Sequence, residues 1–179
     1  MLDAARRLER AMDVQFVLVR ASTVARRDIE KALEKVSLRV VMVEGDTYNI
    51  VNAADLAWLA SGTATLEAAL LQKPMVIVYR VAWLTYALAR LLVNVKYIGM
   101  VNIIAGERVV PELIQSELTS DRLFRESEMI LRNQALRAHT IHKLATVKEK
   151  LGSPGAANRV AEIALSMMAL PRLDERPSV

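Results

Sequence analysis

Residues 52–79 read NAADLAWLASGTATLEAALLQKPMVIVY, and the order of residue types in them decides the fold. An apolar run at 56–60 stops at Ser61-Gly62-Thr63, and a helical pattern follows over 64–71. Lys73-Pro74 breaks that pattern, and the Val/Ile-rich run 75–79 restarts the chain as a strand. The result is a β-loop-α-β unit. Neither strand alternates apolar with polar residues, so neither has a wet face, as expected of parallel strands covered by helices on both sides.

The same alternation extends outward. Leu2, Ala5, Leu8 and Met12 recur at helical spacing ahead of a short strand at 14–19. Ala25, Ile29, Ala32, Leu33 and Val36 mark a second helix ahead of a strand at 38–43, and Gly45 and Asp46 turn the chain into a short helix at 48–53. After 97–100 the character of the chain changes. Thr119 is a candidate N-cap for a helix to about Leu131, and a basic helix spans 133–150. Residues 152–155 break it, and an Ala- and Met-rich helix spans 156–169 until Pro171. The expected fold class is α/β, a Rossmann-like parallel sheet over residues 1–170 with a disordered tail at 171–179. A mostly helical protein is the competing reading, and the Val and Ile content of the strand runs favours the sheet. A doubly wound domain ordinarily opens on a strand; here a helix comes first, so the expectation is a domain that lacks its first strand.

Composition bounds the chemistry. The chain has no cysteine, which excludes disulfides, thiol catalysis and cysteine-ligated zinc. The formal charge of +4 is spread along the chain and favours anions without specifying nucleic acid. The opening MLDAARRLERAMD lacks the apolar run of a signal peptide. The most apolar segment, 81–93, contains Arg90 and falls short of the roughly 20 residues a spanning helix needs.

Gly62 lets the backbone turn tightly and approach a ligand. The free amides at the start of the next helix, with the hydroxyls of Ser61, Thr63 and Thr65, offer donors to a diphosphate. Glu67, about one turn in, is placed to accept hydrogen bonds from a vicinal diol such as a ribose. Ordinary turn and capping chemistry is the alternative at each of these positions. With Thr63 as N-cap, Glu67 lies one residue too far along for a capping box.

Two longer stretches, SGTATLEAALLQKPMVIVYRVAWLTYALARLLV and KYIGMVNIIAGERVVPELIQ, carry a resemblance. They are similar to lipid-A-disaccharide synthases, which show Ser-Gly-Thr followed by Leu-Glu, a Pro-Met-Val strand start ending in Tyr-Arg, and Pro-Asn-Leu-Leu-Ala-Gly-Arg before Glu-Leu. The resemblance reaches to about Leu170. It implies the C-terminal, donor-binding half of an inverting GT-B glycosyltransferase that moves 2,3-diacylglucosamine from its UDP-linked form to 2,3-diacylglucosamine 1-phosphate. It implies no cofactor or metal beyond the UDP-sugar. Gly62, Thr63 and Glu67 would contact UDP, with Ser61, Thr65, Tyr79, Asn102, Ala105 and Gly106 in or near the pocket. Two positions depart from the family pattern: Val101 stands where it has Pro, and Glu107 where it has Arg, so that Arg108 would have to supply the missing charge.

The implied setting is cytoplasmic, peripheral to the inner membrane, with the acylated sugars and a membrane surface as partners and no nucleic acid. Segment 80–96, with Trp83, Leu84, Ala87, Leu88, Leu91 and Leu92 among Arg80, Arg90 and Lys96, fits either a helix lying on a membrane or a core helix over the sheet. His139 and His142 share a helix face without a third ligand, so a solvated basic face outweighs a metal site. In the family the general base is an Asp of the N-terminal domain, and a Gly-Ser-Arg loop precedes the donor domain's first helix. Neither has a counterpart here, since Asp3, Asp46 and Asp55 do not match the base. No catalytic residue is therefore assigned, and the chain alone is expected to be inactive. A homodimer or a complementing N-terminal half is the expected partner. A noncatalytic UDP-sugar-binding remnant and a UDP-sugar epimerase are the other readings, the second disfavoured by the Asn102 segment.

Overall fold

A computed structural model describes residues 1–83, 86, 96–152 and 155–169. The expected apolar helix at 80–96 and tail at 171–179 therefore lie largely or wholly outside the described residues. In chain order the elements are α1 (Leu2–Ala11), β1 (Phe16–Arg20), α2 (Arg26–Glu34), β2 (Val40–Glu44), α3 (Thr47–Ala53), β3 (Ala57–Ala60), α4 (Thr63–Leu70) and β4 (Met75–Tyr79). There follow α5 (Met100–Ala105), β5 (Glu112–Ile114), a 3-10 turn (Gln115–Glu117), α6 (Ser120–Arg132), α7 (Gln134–Leu151) and α8 (Ala156–Ala169).

Every strand pairing is parallel. β1 pairs with β2, Phe16 opposite Val40, while β3, β4 and β5 form a second sheet in that order. The four expected strands are present within two residues of their expected limits. The expected single sheet is instead two pieces: no strand among the described residues joins β1 to β3. The rings of Phe16 and Trp58, 6.3 Å between centroids, meet across this junction.

β4 is the centre of the core, and its sequence MVIVY explains why. Met75 and Ile77 project to one face and pack with Ala68 and Ala69 of α4, Val101 of α5, and Leu144 and Val147 of α7. Val76 and Val78 project to the other and pack with Ala4 of α1 and Leu123 and Ile130 of α6. Each such side chain contributes about 1.5–3 kcal/mol of transfer free energy, so a strand with no wet side is strongly held. Trp58 completes the second face by donating its indole N–H to Ser127 Oγ at 2.8 Å.

α1 is tied to α6 by the Arg7–Asp121 pair at 3.0 Å and by the Arg7 guanidinium 4.4 Å from the Phe124 ring centroid. At the start of α6 Thr119 Oγ1 accepts from Arg122 N, the cap read from the sequence, and Asn133 caps α7 through Leu136 N. Residues 156–168 of α8 are exposed throughout, including Val160, Ile163 and Met167.

Two elements were not expected. β5 is only three residues long and carries a glutamate, so it lacks the apolar run that marks a strand. Residues 100–105, where Val101 replaces the family's Pro and no element was expected, form the helix α5 with Val101 and Asn102 buried inside it.

Candidate functional site

In an open parallel sheet, ligands bind outside the carboxyl ends of the strands, where helix N-termini converge. Here those ends are Ala60, Tyr79 and Ile114, followed by Ser61, Arg80 and Gln115. Ser61-Gly62 joins β3 to α4. Ser61 N bonds to Val78 O at 3.3 Å, extending the ladder by one residue, and its hydroxyl points to Ile98 O at 3.4 Å.

Gly62, not Thr63, is the N-cap of α4, with φ 155 and ψ −167, a region open in practice to glycine alone. A Cβ at Gly62 would meet nothing within 4 Å, so this face of the loop stays clear for a ligand. No side chain caps α4. Its first amides point outward and carry the partial positive charge of a helix start.

Glu67 follows on the same helix, exposed and, among the described residues, without a hydrogen bond or ion pair. With Gly62 as N-cap it falls outside the first turn, where no acidic residue stands. Both the capping box and the helix dipole therefore lose their claim on it. Thr63 is also exposed, and Tyr79 is half-buried at the end of β4.

The structure gives the other expected contacts different work. Thr65 is fully buried and its hydroxyl donates to Gly62 O at 2.7 Å, which tightens the first turn of α4 and turns the group away from solvent. Asn102, 0 % exposed, has all four amide positions filled. Its Nδ2 donates to Val110 O at 2.8 Å and Glu112 Oε1 at 2.7 Å, and its Oδ1 accepts from Val109 N and Val110 N. Nothing remains on it for a ligand. Gly106, at φ 79, is the left-handed cap that ends α5, and Lys150 Nζ reaches the carbonyls of Ile104 and Ala105 at 3.3 and 2.8 Å. The nine expected contacts thus divide: Ser61, Gly62, Thr63, Glu67 and Tyr79 remain at the carboxyl edge or one turn beyond, while Thr65, Asn102, Ala105 and Gly106 hold α4 and α5 in place.

The charges near α5 are also settled. Glu107 pairs with Lys143 at 2.6 Å, and that bond, with the lysine's charge, holds its carboxyl below the usual carboxylate range. Arg108 faces Glu126 at 3.5 Å, so it does not stand free to replace the missing arginine. Because the folded pKa of Glu107 is depressed, its contribution to stability is present above its ordinary value of 4.5 and is lost as pH falls through the folded value. Lys143→Met should therefore flatten this part of the acid limb in melting curves run from about pH 6 to about pH 3. An acid limb identical to that of the wild type would remove the pair from the account.

Glu112 and Gln115 escaped the sequence reading. Glu112 is buried beside the loop and accepts from Ile98 N at 2.9 Å and Gly99 N at 3.1 Å. Its signal was the glycine at 99, where a Cβ would come within 2.4 Å of Ile77 Cδ1 and 3.0 Å of Glu112 Oε1.

A glycine loop leading into an uncapped helix at the carboxyl edge of a parallel sheet, with a free carboxylate about one turn on, is the arrangement of a Rossmann-like domain and is consistent with one half of a GT-B fold. The chain belongs to the lipid-A-disaccharide synthetase family, whose model matches residues 1–166. It is 45% identical over 170 residues to the lipid-A-disaccharide synthase of Anaeromyxobacter dehalogenans (strain 2CP-C), covering 94% of this chain and 44% of that protein. The synthase of Myxococcus xanthus (strain DK1622) is 40% identical over 169 residues with the same coverage. That of Geobacter sulfurreducens is 44% identical over 168 residues, covering 93% and 44%. The chain spans less than half the length of these relatives.

Proposed function

We propose that this chain is the donor-binding half of a lipid-A-disaccharide synthase, one that transfers 2,3-diacylglucosamine from UDP-2,3-diacylglucosamine to 2,3-diacylglucosamine 1-phosphate with release of UDP. The observation that carries the reading is the Ser61-Gly62-Thr63 loop, open at Gly62 and backed by the uncapped start of α4. Backbone amides there meet the diphosphate, where a fixed array of donors stabilises the charge that develops on the leaving group. Glu67, one turn on, accepts from the ribose diol. Tyr79 closes the edge of the pocket. The resemblance puts the general base that takes the acceptor's proton on an Asp of the opposing half, and the aspartates near these elements have other partners. Asp46 accepts from Asn49 at 2.7 Å and Asp55 pairs with Arg137 at 2.6 Å.

The chain alone should bind UDP weakly, since an open cleft leaves the diphosphate wet, and should form no disaccharide. Supplying the N-terminal half of a relative as a separate chain should restore turnover. Disaccharide synthesis by the purified 179-residue chain alone would overturn this division of labour.

Membrane contact is part of the proposal. Among the described residues no helix is long and apolar enough to cross a membrane. Trp83, however, is 77 % exposed, three residues after the exposed Arg80. An exposed indole in a segment that also carries arginine and lysine fits the headgroup layer of an anionic bilayer, on the cytoplasmic face. Trp83→Ser should reduce sedimentation with anionic liposomes severalfold and leave the melting temperature within about 1 °C, because an exposed side chain contributes little to folding. A large fall in melting temperature with unchanged sedimentation would place Trp83 in the core instead.

A further inference from the structure

The chain leaves the carboxyl edge of the sheet at Val81, after Tyr79, and is back beside it at Ile98 and Gly99. Both points are held by side chains of one short stretch, β5 and the residue after it. Gln115 accepts from Val81 N at 2.9 Å through Oε1 and donates to Val81 O at 3.0 Å through Nε2. Its carboxamide thus imitates a peptide group and adds one rung to the β4–β5 ladder beyond the Tyr79–Ile114 pair. Three residues earlier, Glu112 accepts from Ile98 N through Oε2 and from Gly99 N through Oε1, and Asn102 Nδ2 also donates to Oε1.

Two features mark this pair as more than ordinary packing. Gln115 has φ 51, a left-handed conformation that costs a non-glycine residue free energy and here turns its side chain back along β4. Gly99 admits no side chain, because the Glu112 carboxylate and Ile77 occupy that space. A buried carboxylate with only neutral N–H partners and a glutamine in a strained turn are both demanding arrangements, and they stand side by side at the ligand edge.

We infer that Glu112 and Gln115 are positioning residues of the donor site. Fixing Val81 sets the backbone that leaves Tyr79, and fixing Ile98–Gly99 sets the carbonyl that the Ser61 hydroxyl faces. The inference rests on the donor-site reading for its functional consequence; the two-point clamp itself does not.

The test uses the isotopically labelled 179-residue chain, with amide exchange read by NMR and UDP as the probe ligand. Gln115→Met keeps the length and apolar stem of the side chain and removes both hydrogen bonds. It should speed exchange at Val81 by about tenfold and leave Ile98 and Gly99 unchanged. Gln115→Gly relieves the left-handed backbone but has no clamp, and it should expose Val81 in the same way at an equal or higher melting temperature. Glu112→Gln turns an amide N–H₂ toward a donor and should speed exchange at Ile98 and Gly99 instead. Each variant should weaken UDP binding about three- to tenfold. A wild-type exchange rate at Val81 in both Gln115 variants would overturn the clamp, and the outcome does not depend on Glu112→Gln folding. Faster exchange with UDP affinity equal to that of the wild type would overturn the positioning role. Failure of the wild type to bind UDP would instead overturn the donor-site reading and the positioning role with it, leaving the exchange result to decide the clamp by itself.

Discussion

Replacing Asn102 with alanine is expected to lower the melting temperature by roughly 10 °C. The substitution strips partners from Val109 N, Val110 N and Val110 O and removes one donor from Glu112. Each buried group left unsatisfied costs about 1–3 kcal/mol, and partial relaxation of the 106–110 turn brings the sum to about 3–5 kcal/mol. For a domain of this size that corresponds to a shift of about 2–4 °C per kcal/mol. Asn102→Asp is no remedy, since it places a second carboxylate against Glu112 Oε1 across what is now a 2.7 Å hydrogen bond. A thermal melt of Asn102→Ala within about 2 °C of the wild type would show that α5 does not depend on this network.

Glu67→Ala should have the opposite profile. The side chain is exposed and unpartnered, so the unliganded protein should melt within about 1 °C of the wild type. UDP affinity, measured by calorimetric titration, should fall about tenfold, because the ribose hydroxyls lose a charged acceptor on binding. Unchanged affinity would remove Glu67 from the site. A clear fall in stability would return it to a purely structural role. Asn102 and Glu67 thus separate the frame of the site from its contacts.

The sequence made the parallel strands legible because β3 and β4 are apolar at nearly every position and β4 is rich in Val and Ile, a pattern expected of strands covered by helices. The loop at Ser61-Gly62-Thr63 was equally legible, since the glycine fell between an apolar run and a helical period. What could not be read was the tertiary use of polar residues. Asn102 and Gly106 look like turn residues, and they turn out to be a buried brace and a helix cap. β5 is too short, and too polar at Glu112, to register as a strand. Gln115 is not a residue type that signals a left-handed turn. Thr63 looked like an N-cap, but the extended backbone of Gly62 moved the helix start by one residue, and that shift is what leaves the first amides of α4 uncapped.

The most direct test of the central claim is an NMR titration of the labelled chain with UDP. Binding at the loop predicts progressive, saturable shifts of the Gly62, Thr63 and Ala64 amides, where the diphosphate meets the start of α4, with smaller changes at Glu67 and Tyr79. No shift at millimolar UDP, or shifts confined to the basic face of α7 around His139, His142 and Lys148, would contradict it.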